Sequence, residues 1–154
     1  MPEDGEELDA SARVLRLVPR TNAFLPEGAR FPTLEAFTPS SDEEHDALRT
    51  HKPVRVSVWD RSRTSIDQAV RLRGRRDVVP FELPVWKVVE VRQRLNVPQL
   101  KVVRDPDPTL EGPGADGHCG IEGIVKGDNI PNARKSLKEL KLELVKCLNE
   151  IAYS

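Results

Sequence analysis

The sequence predicts an α+β fold, or a small α/β fold, with a mixed sheet of three to five short strands covered by two or three helices. Short valine-rich runs alternate with segments of helical periodicity, which indicates both element types. The last segment is a long amphipathic stretch, which predicts a long C-terminal helix. The 13 prolines favour short elements joined by many connections.

A chain of 154 residues suits one domain that buries a core without disulfide bonds. We expect an acidic, frayed N-terminus over residues 1–11 and a single α+β domain over residues 12–154. The formal net charge of −1 provides no overall field for nucleic acid or an acidic membrane. The acidic start lacks a secretion signal and no apolar run reaches membrane-spanning length, so we expect a cytoplasmic protein with reduced cysteines.

The first half of the chain contains two strand patterns. Residues 14–18 are mostly apolar and stop at a proline, which predicts a short strand. Residues 19–52 carry a proline about every seven residues, so we expect an ordered, irregular wrap. Within it, Ser40 and Glu43 have capping-box spacing, although an acidic loop fits equally well. In residues 53–60 valines alternate with other side chains, which indicates a half-buried strand.

Helical and strand patterns alternate in the middle of the chain. Thr64 stands where it can cap a helix that Gly74 ends. Residues 78–83 predict a strand in which Pro80 indicates an edge or a bulge. Residues 85–95 fit either a strand or a helix, and we favour the helix because the apolar residues share one helical face. This alternation permits a parallel pair of strands.

The C-terminal part begins with a short strand pattern at residues 100–104. Residues 105–131 predict a long loop, with room for one helical turn. An apolar stripe from Leu137 to Ile151 then predicts a helix of about 20 residues, enough to cover one face of a small sheet.

The predicted loop holds most of the candidate site residues. Six of the nine glycines lie between Gly112 and Gly127, which indicates tight turns or close backbone approach. The pattern of a dinucleotide-binding turn is formally present, but prolines separate it from the preceding strand, so we expect no cofactor. We prefer a structural or partner-facing role for the loop. The candidate contacts are Asp116, Gly117, Gly120 and Glu122.

Cys119 and His118 are the candidate catalytic residues. A thiol needs a neighbouring base to become a nucleophile, and side chains adjacent in sequence usually diverge. A Cys-dependent hydrolase or transferase would therefore need a distant histidine, His45 or His51. The chain contains no CxxC or HxxxH pair, so we expect no metal site.

Four arginines near the end of the helix that is predicted to stop at Gly74 form a basic cluster. They are Arg71, Arg73, Arg75 and Arg76. Arginines at this position complement the helix dipole, and they also suit contact with phosphate. Nucleic-acid binding is therefore a second alternative, disfavoured because no recognised nucleic-acid motif accompanies the cluster.

The sequence leads us to expect a non-catalytic accessory module that binds another protein. This expectation depends on an absence, because the sequence reveals no assembled nucleophile, base and orienting group. Reactivity of the Cys119 thiol would favour the enzyme alternative, and salt-dependent retention on phosphate would favour the nucleic-acid alternative.

Overall fold

A computed structural model of the chain describes residues 4–75, 77–124 and 133–151. The strands are β1 (Arg13–Pro19), β2 (Val56–Asp60), β3 (Val78–Pro84), β4 (Lys101–Arg104), β5 (His118–Glu122) and β6 (Asn149–Glu150). The α-helices are α1 (Ser41–Thr50), α2 (Ile66–Arg73), α3 (Val85–Leu95) and α4 (Ala133–Lys146). Short 3-10 turns cover Leu34–Phe37 and Ala115–Gly117.

The strands form one sheet in the order β4-β5-β2-β1-β3-β6, and every pairing is antiparallel. The α+β class is confirmed. Among the described residues, six strands replace the expected three to five, four α-helices replace the expected two or three, and the sheet is not mixed. The helix α2 does connect two parallel strands, since β2 and β3 both run opposite to β1. They do not pair because β1 lies between them, and β5 separates β4 from β2 in the same way.

The two faces of the sheet carry separate apolar clusters. On one face, Val56 and Val58 of β2 join a core that includes buried residues of α3 and α4. On the other face, Trp59 packs with Leu15 and Leu17 of β1 and with α2. The alternation thus predicted strand β2 correctly. The strand is covered on both faces, whereas the sequence indicated a half-buried strand.

The capping-box signal for α1 is confirmed, and residues 85–95 form the favoured helix, α3. Ser40 and Glu43 form the capping box that starts α1, which excludes the acidic-loop alternative. Pro80 lies in a part of β3 that β6 does not reach, because β6 pairs only with Phe81 and Glu82. The cap of α2 differs from the prediction. Ser65 accepts the capping hydrogen bond, whereas the Thr64 hydroxyl donates to Gly114 O at 2.6 Å.

Two predictions for the C-terminal part are wrong. The expected loop contains β5, which lies inside the sheet between β4 and β2. The backbone groups of β5 pair with both neighbouring strands. The predicted 20-residue helix ends at Lys146 after 14 residues. The apolar stripe continues through the turn to the buried Leu148, but the chain then forms β6 against β3. Residues 125–131 of the predicted loop lie outside the described residues.

The expected frayed N-terminus also differs from the structure. From residue 4 onward, the chain runs beside β4, with hydrogen bonds from Gly5 N to Arg104 O and from Leu8 N to Val102 O, both at 2.9 Å. The Leu8 side chain is buried in the main core. Apolar burial and backbone pairing therefore order this acidic segment despite its composition.

β1 and β2 separate partway along their length. β1 pairs with β3 along all seven of its residues but with β2 only at Val14 and Leu15. Beyond that point, side chains satisfy the backbone groups of Ser57 in β2. Glu43 Oε2 accepts from Ser57 N at 2.7 Å, and Arg16 Nη1 donates to Ser57 O at 3.2 Å. This gap between β1 and β2 positions the polar groups described next.

Candidate functional site

Two glycines of the Gly-rich segment are required by contacts with their own chain. A Cβ atom on Gly117 would lie 1.9 Å from Thr64 Oγ1. A Cβ atom on Gly120 would lie 2.6 Å from Arg55 Cβ. Both distances are far below van der Waals contact, so a larger side chain at either position would displace a neighbour. The packing of this domain is a sufficient reason for both glycines.

Cys119 and His118 point to opposite faces of the sheet, as alternate residues of a strand do. Cys119 is 0% exposed, and its Sγ donates to Gly117 O at 3.4 Å. Burial raises the pKa of the Cys119 thiol to about 12, which keeps it protonated at neutral pH. Among the described residues, no histidine is hydrogen-bonded to this sulfur. The geometry therefore provides no activated thiol for the Cys-dependent alternative.

His118 lies in the wall of an open cleft of about 410 Å³. Its Nε2 is 2.7 Å from Ser57 Oγ, and its Nδ1 is 2.7 Å from Asp105 O and 3.6 Å from Asp105 Oδ2. Trp59 packs against the imidazole edge-on, with ring centroids 4.8 Å apart. We call this space the histidine cleft. It is lined by α1, the chain entering β2 and residues 105–108.

Ser57 and Asp105 were missed by the sequence analysis. The signal for Ser57 was its polar position in the alternating pattern of β2, on the face opposite the core valines. The signal for Asp105 was its place immediately after β4. Neither signal indicates a histidine partner, because the pairing exists only once β2 and β5 are neighbours.

Glu122, a predicted binding residue, is part of an internal ion-pair network. Its carboxylate accepts from Arg55 Nε at 2.8 Å, and Arg55 Nη1 reaches Asp4 at 2.6 Å and Asp105 at 2.8 Å. Burial alone would lower the pKa of Arg55, but these three carboxylates raise it overall. Asp116 lies in the second 3-10 turn. Among the described residues, no group of three or more histidine, cysteine or acidic side chains is arranged to hold a metal ion.

The arginines of the predicted basic cluster have different surroundings. Arg71 donates to Pro113 O at 2.9 Å and so braces the Gly-rich segment. Arg75 forms a two-point ion pair with Asp77, at 2.5 and 2.8 Å. Arg73 is half-buried at the end of α2, and Arg76 lies outside the described residues. These three do not form one row of free guanidinium groups.

Arg73 instead meets Arg16 in a second open cleft, of about 370 Å³. We call it the arginine cleft, and it is lined by Arg16, Phe24, Thr38, Ser40, Asp42, Glu43, Arg73 and Arg75. Arg16 is 4% exposed and donates from Nε to Ala36 O at 2.8 Å. Arg73 Nε is buried, and among the described residues it is the one buried side-chain nitrogen or oxygen without a hydrogen-bond partner.

The guanidinium groups of Arg16 and Arg73 in the arginine cleft lack full charge compensation. Burial lowers the pKa of Arg16 to about 10, with Glu43 acting in the opposite direction and Arg73 lowering it further. Burial also lowers the pKa of Arg73, and Glu43 offsets part of that effect. Glu43 already accepts hydrogen bonds on both oxygens, from Ser40 N and Ser57 N. In the sequence, Arg16 is distinguished only as the single charged residue within an apolar strand pattern.

No helix among the described residues has the length and apolar character needed to cross a membrane. A comparison with models of protein families found no match. Searches of curated proteins and of solved structures found no significant similarity either. The two clefts are therefore interpreted from their own geometry.

Proposed function

We propose that this chain is a binding module that contacts another protein by accepting an oxyanion group of that partner in the arginine cleft. The observation that carries the proposal is the buried, unpartnered Arg73 Nε beside the buried Arg16 guanidinium. The group accepted is a carboxylate or a phosphate on a side chain of the partner.

The free-energy cost of the unpartnered donor and of the neighbouring positive charges supports this assignment. A buried donor without a partner costs about 1–3 kcal/mol, and neighbouring like charges repel. A carboxylate or phosphate relieves both costs at once, because each accepts two hydrogen bonds from a guanidinium group. The hydroxyl groups of Thr38 and Ser40 line the same cleft and add donors of the type found around bound oxyanions.

The charge around the arginine cleft favours a single anionic group over a nucleic acid. Asp42, Glu43 and Glu44 occupy the first turn of α1, and Asp42 and Glu43 also line the cleft. These carboxylates would repel the successive phosphates of a nucleic-acid backbone. A single oxyanion that enters between Arg16 and Arg73 avoids most of that repulsion. A protein that carries one such oxyanion is therefore the proposed partner.

The proposal is tested by NMR spectroscopy of the arginine Nε–Hε groups in the full chain. The probes are inorganic phosphate, a short phosphoserine peptide, the matching glutamate peptide and a DNA duplex. We expect the Arg73 Nε–Hε signal to shift with at least one peptide and with phosphate. Which peptide binds more tightly distinguishes a phosphate from a carboxylate.

Two variants on the same helix make the test specific. Arg73→Met should weaken peptide binding by about tenfold or more, equivalent to about 1.4 kcal/mol. Arg71→Met is the matched control, because Arg71 bonds to the Gly-rich segment and does not line the cleft. Equal binding by wild type and Arg73→Met would refute the proposal, and so would tighter binding of the duplex than of both peptides.

A further inference from the structure

The histidine cleft contains a nucleophile, a base and an orienting group that the sequence did not reveal. Ser57 Oγ and His118 Nε2 are 2.7 Å apart, and His118 Nδ1 is 2.7 Å from Asp105 O. The expectation of a non-catalytic protein depended on the absence of such a set. The set is present, and it is centred on a serine and not on Cys119.

The hydrogen bonds determine which imidazole nitrogen carries the proton in the neutral ring. Asp105 O is a carbonyl oxygen and can only accept, so Nδ1 donates to it. The Nε2 lone pair of His118 then accepts the proton of Ser57 Oγ. This tautomer and direction are those that a histidine needs to act as general base toward a serine.

Rigid elements hold the pair in place. In the register of β2 and β5, Ser57 lies opposite Gly120 and Trp59 lies opposite His118. Ser57 and His118 are therefore diagonal neighbours on one face of the sheet. The edge-on contact with Trp59 fixes the plane of the imidazole. Sites built on strands keep their geometry more closely than sites built on loops.

We propose that Ser57 and His118 form an acyl-transfer site for short polar esters in the histidine cleft. Ser57 Oγ attacks the carbonyl carbon of the ester, and the new Oγ–C bond forms as the bond from carbon to the leaving oxygen breaks. His118 Nε2 takes the serine proton and delivers it to the leaving alcohol. Water then releases the carboxylic acid by the reverse proton path, and Ser57 regains its hydroxyl.

The lining of the histidine cleft selects the substrate class. Both carboxylates and cations line the cleft, and they include Asp46, Arg49, Lys52 and Asp107. An aliphatic chain would desolvate these charges without replacing their hydrogen bonds, which is unfavourable. A short ester with polar substituents leaves them paired or hydrated.

Glu43 restrains this site in the described conformation. Its Oε2 accepts from Ser57 N at 2.7 Å, and a serine nucleophile's own N–H is a usual donor to the transition-state oxyanion. A carboxylate at that position also repels the developing negative charge. None of the described residues of α1, which carries Glu43, is fully buried. Moving α1 therefore removes little apolar contact. Glu43→Gln removes the negative charge beside Ser57 N and should accelerate acylation.

The test is labelling of the full chain with a fluorophosphonate, followed by intact mass measurement and peptide mapping. In this reaction Ser57 Oγ bonds to phosphorus, fluoride leaves, and His118 takes the proton. We expect one adduct, at Ser57, that is absent in Ser57→Ala. His118→Gln should slow labelling by about 100-fold or more, the contribution of a general base. Ser62→Ala is the matched control, because the Ser62 hydroxyl bonds to Asp60 and does not line the cleft.

A measurement on the unmodified chain guards against variants that fail to fold. In the wild-type chain, the imidazole NMR signals of His118 should shift on labelling, because phosphorus bonds to the serine oxygen that lies 2.7 Å from Nε2. Absence of a Ser57 adduct, or an adduct that leaves the His118 signals unchanged, overturns the inference. The inference does not depend on the proposed function, because Ser57 and His118 are not among the residues that line the arginine cleft.

Discussion

Replacement of Gly117 by alanine tests whether the Gly-rich segment is packing architecture. The added Cβ would lie 1.9 Å from Thr64 Oγ1 and 3.1 Å from Thr64 Cβ and Arg63 Cβ. The Thr64 hydroxyl, which is buried and donates to Gly114 O at 2.6 Å, must move away. Overpacking of this kind costs about 1–3 kcal/mol. The loss of the buried hydrogen bond adds about 1–3 kcal/mol.

The expected sum is about 2–6 kcal/mol of lost stability, measured by urea unfolding. In a domain of this size, that corresponds to a fall in Tm of about 4–24 °C. Gly28→Ala is the control, since nothing lies within 4 Å of its added Cβ and only its positive φ is strained. Its expected cost is about 1–2 kcal/mol.

A double-mutant cycle identifies the cause of the Gly117→Ala effect. Thr64→Ala removes the clashing oxygen, so adding Gly117→Ala in that background should cost less than about 1 kcal/mol. The two substitutions should therefore be non-additive by about 1 kcal/mol or more. Additive effects, or a Gly117→Ala variant as stable as the wild type, would refute the close-packing explanation.

Two further predictions concern buried titratable groups. Cys119 should resist iodoacetamide at pH 7 in the folded chain and react only on unfolding, as followed by mass spectrometry, and fast native alkylation would contradict its burial. Because the unfolded thiol ionises near 9.0 and the folded one near 12, the stability from Cys119 is present below pH 9 and is lost as pH rises through that range. Burial opposes ionisation of Asp60, but hydrogen bonds from Ser62 and the Arg104 ion pair lower its pKa below 3.8 overall. Asp60→Asn should cost about 3–5 kcal/mol at pH 7, because it leaves the Arg104 charge unpaired. The stability from Asp60 is present above pH 3.8 and lost below it, so acid titration of stability should flatten in that variant.

Local signals predicted individual elements but not their arrangement. The valines of β2 and the Ser40–Glu43 capping box suffice, because each depends on residues a few positions apart. The sequence did not indicate β5, because Gly120 has no side chain to continue the alternation of a strand. In the structure, Arg55 occupies the space where a side chain of residue 120 would lie. The sheet order depends on long-range pairing, with β1 inserted between β2 and β3.

The same difference between short-range and long-range contacts explains which site residues the sequence revealed. His118 was singled out, but its partners Ser57 and Asp105 are 61 and 13 residues away. The basic cluster drew attention to Arg73, yet Arg16 comes from the first strand. Only the gap between β1 and β2 brings Arg16, Arg73 and Glu43 together.

Ligand-dependent stability provides the most direct test of anion binding in the arginine cleft. The Tm of the wild type, Arg73→Met and Arg71→Met is measured against phosphate concentration at constant ionic strength. Phosphate stabilises proteins in general by exclusion from their surface, so the comparison is between slopes. A bound oxyanion adds stability of RT ln(1 + [L]/Kd), which rises with ligand concentration. We predict steeper, equal slopes for the wild type and Arg71→Met and a shallower slope for Arg73→Met, whereas three equal slopes would contradict the account.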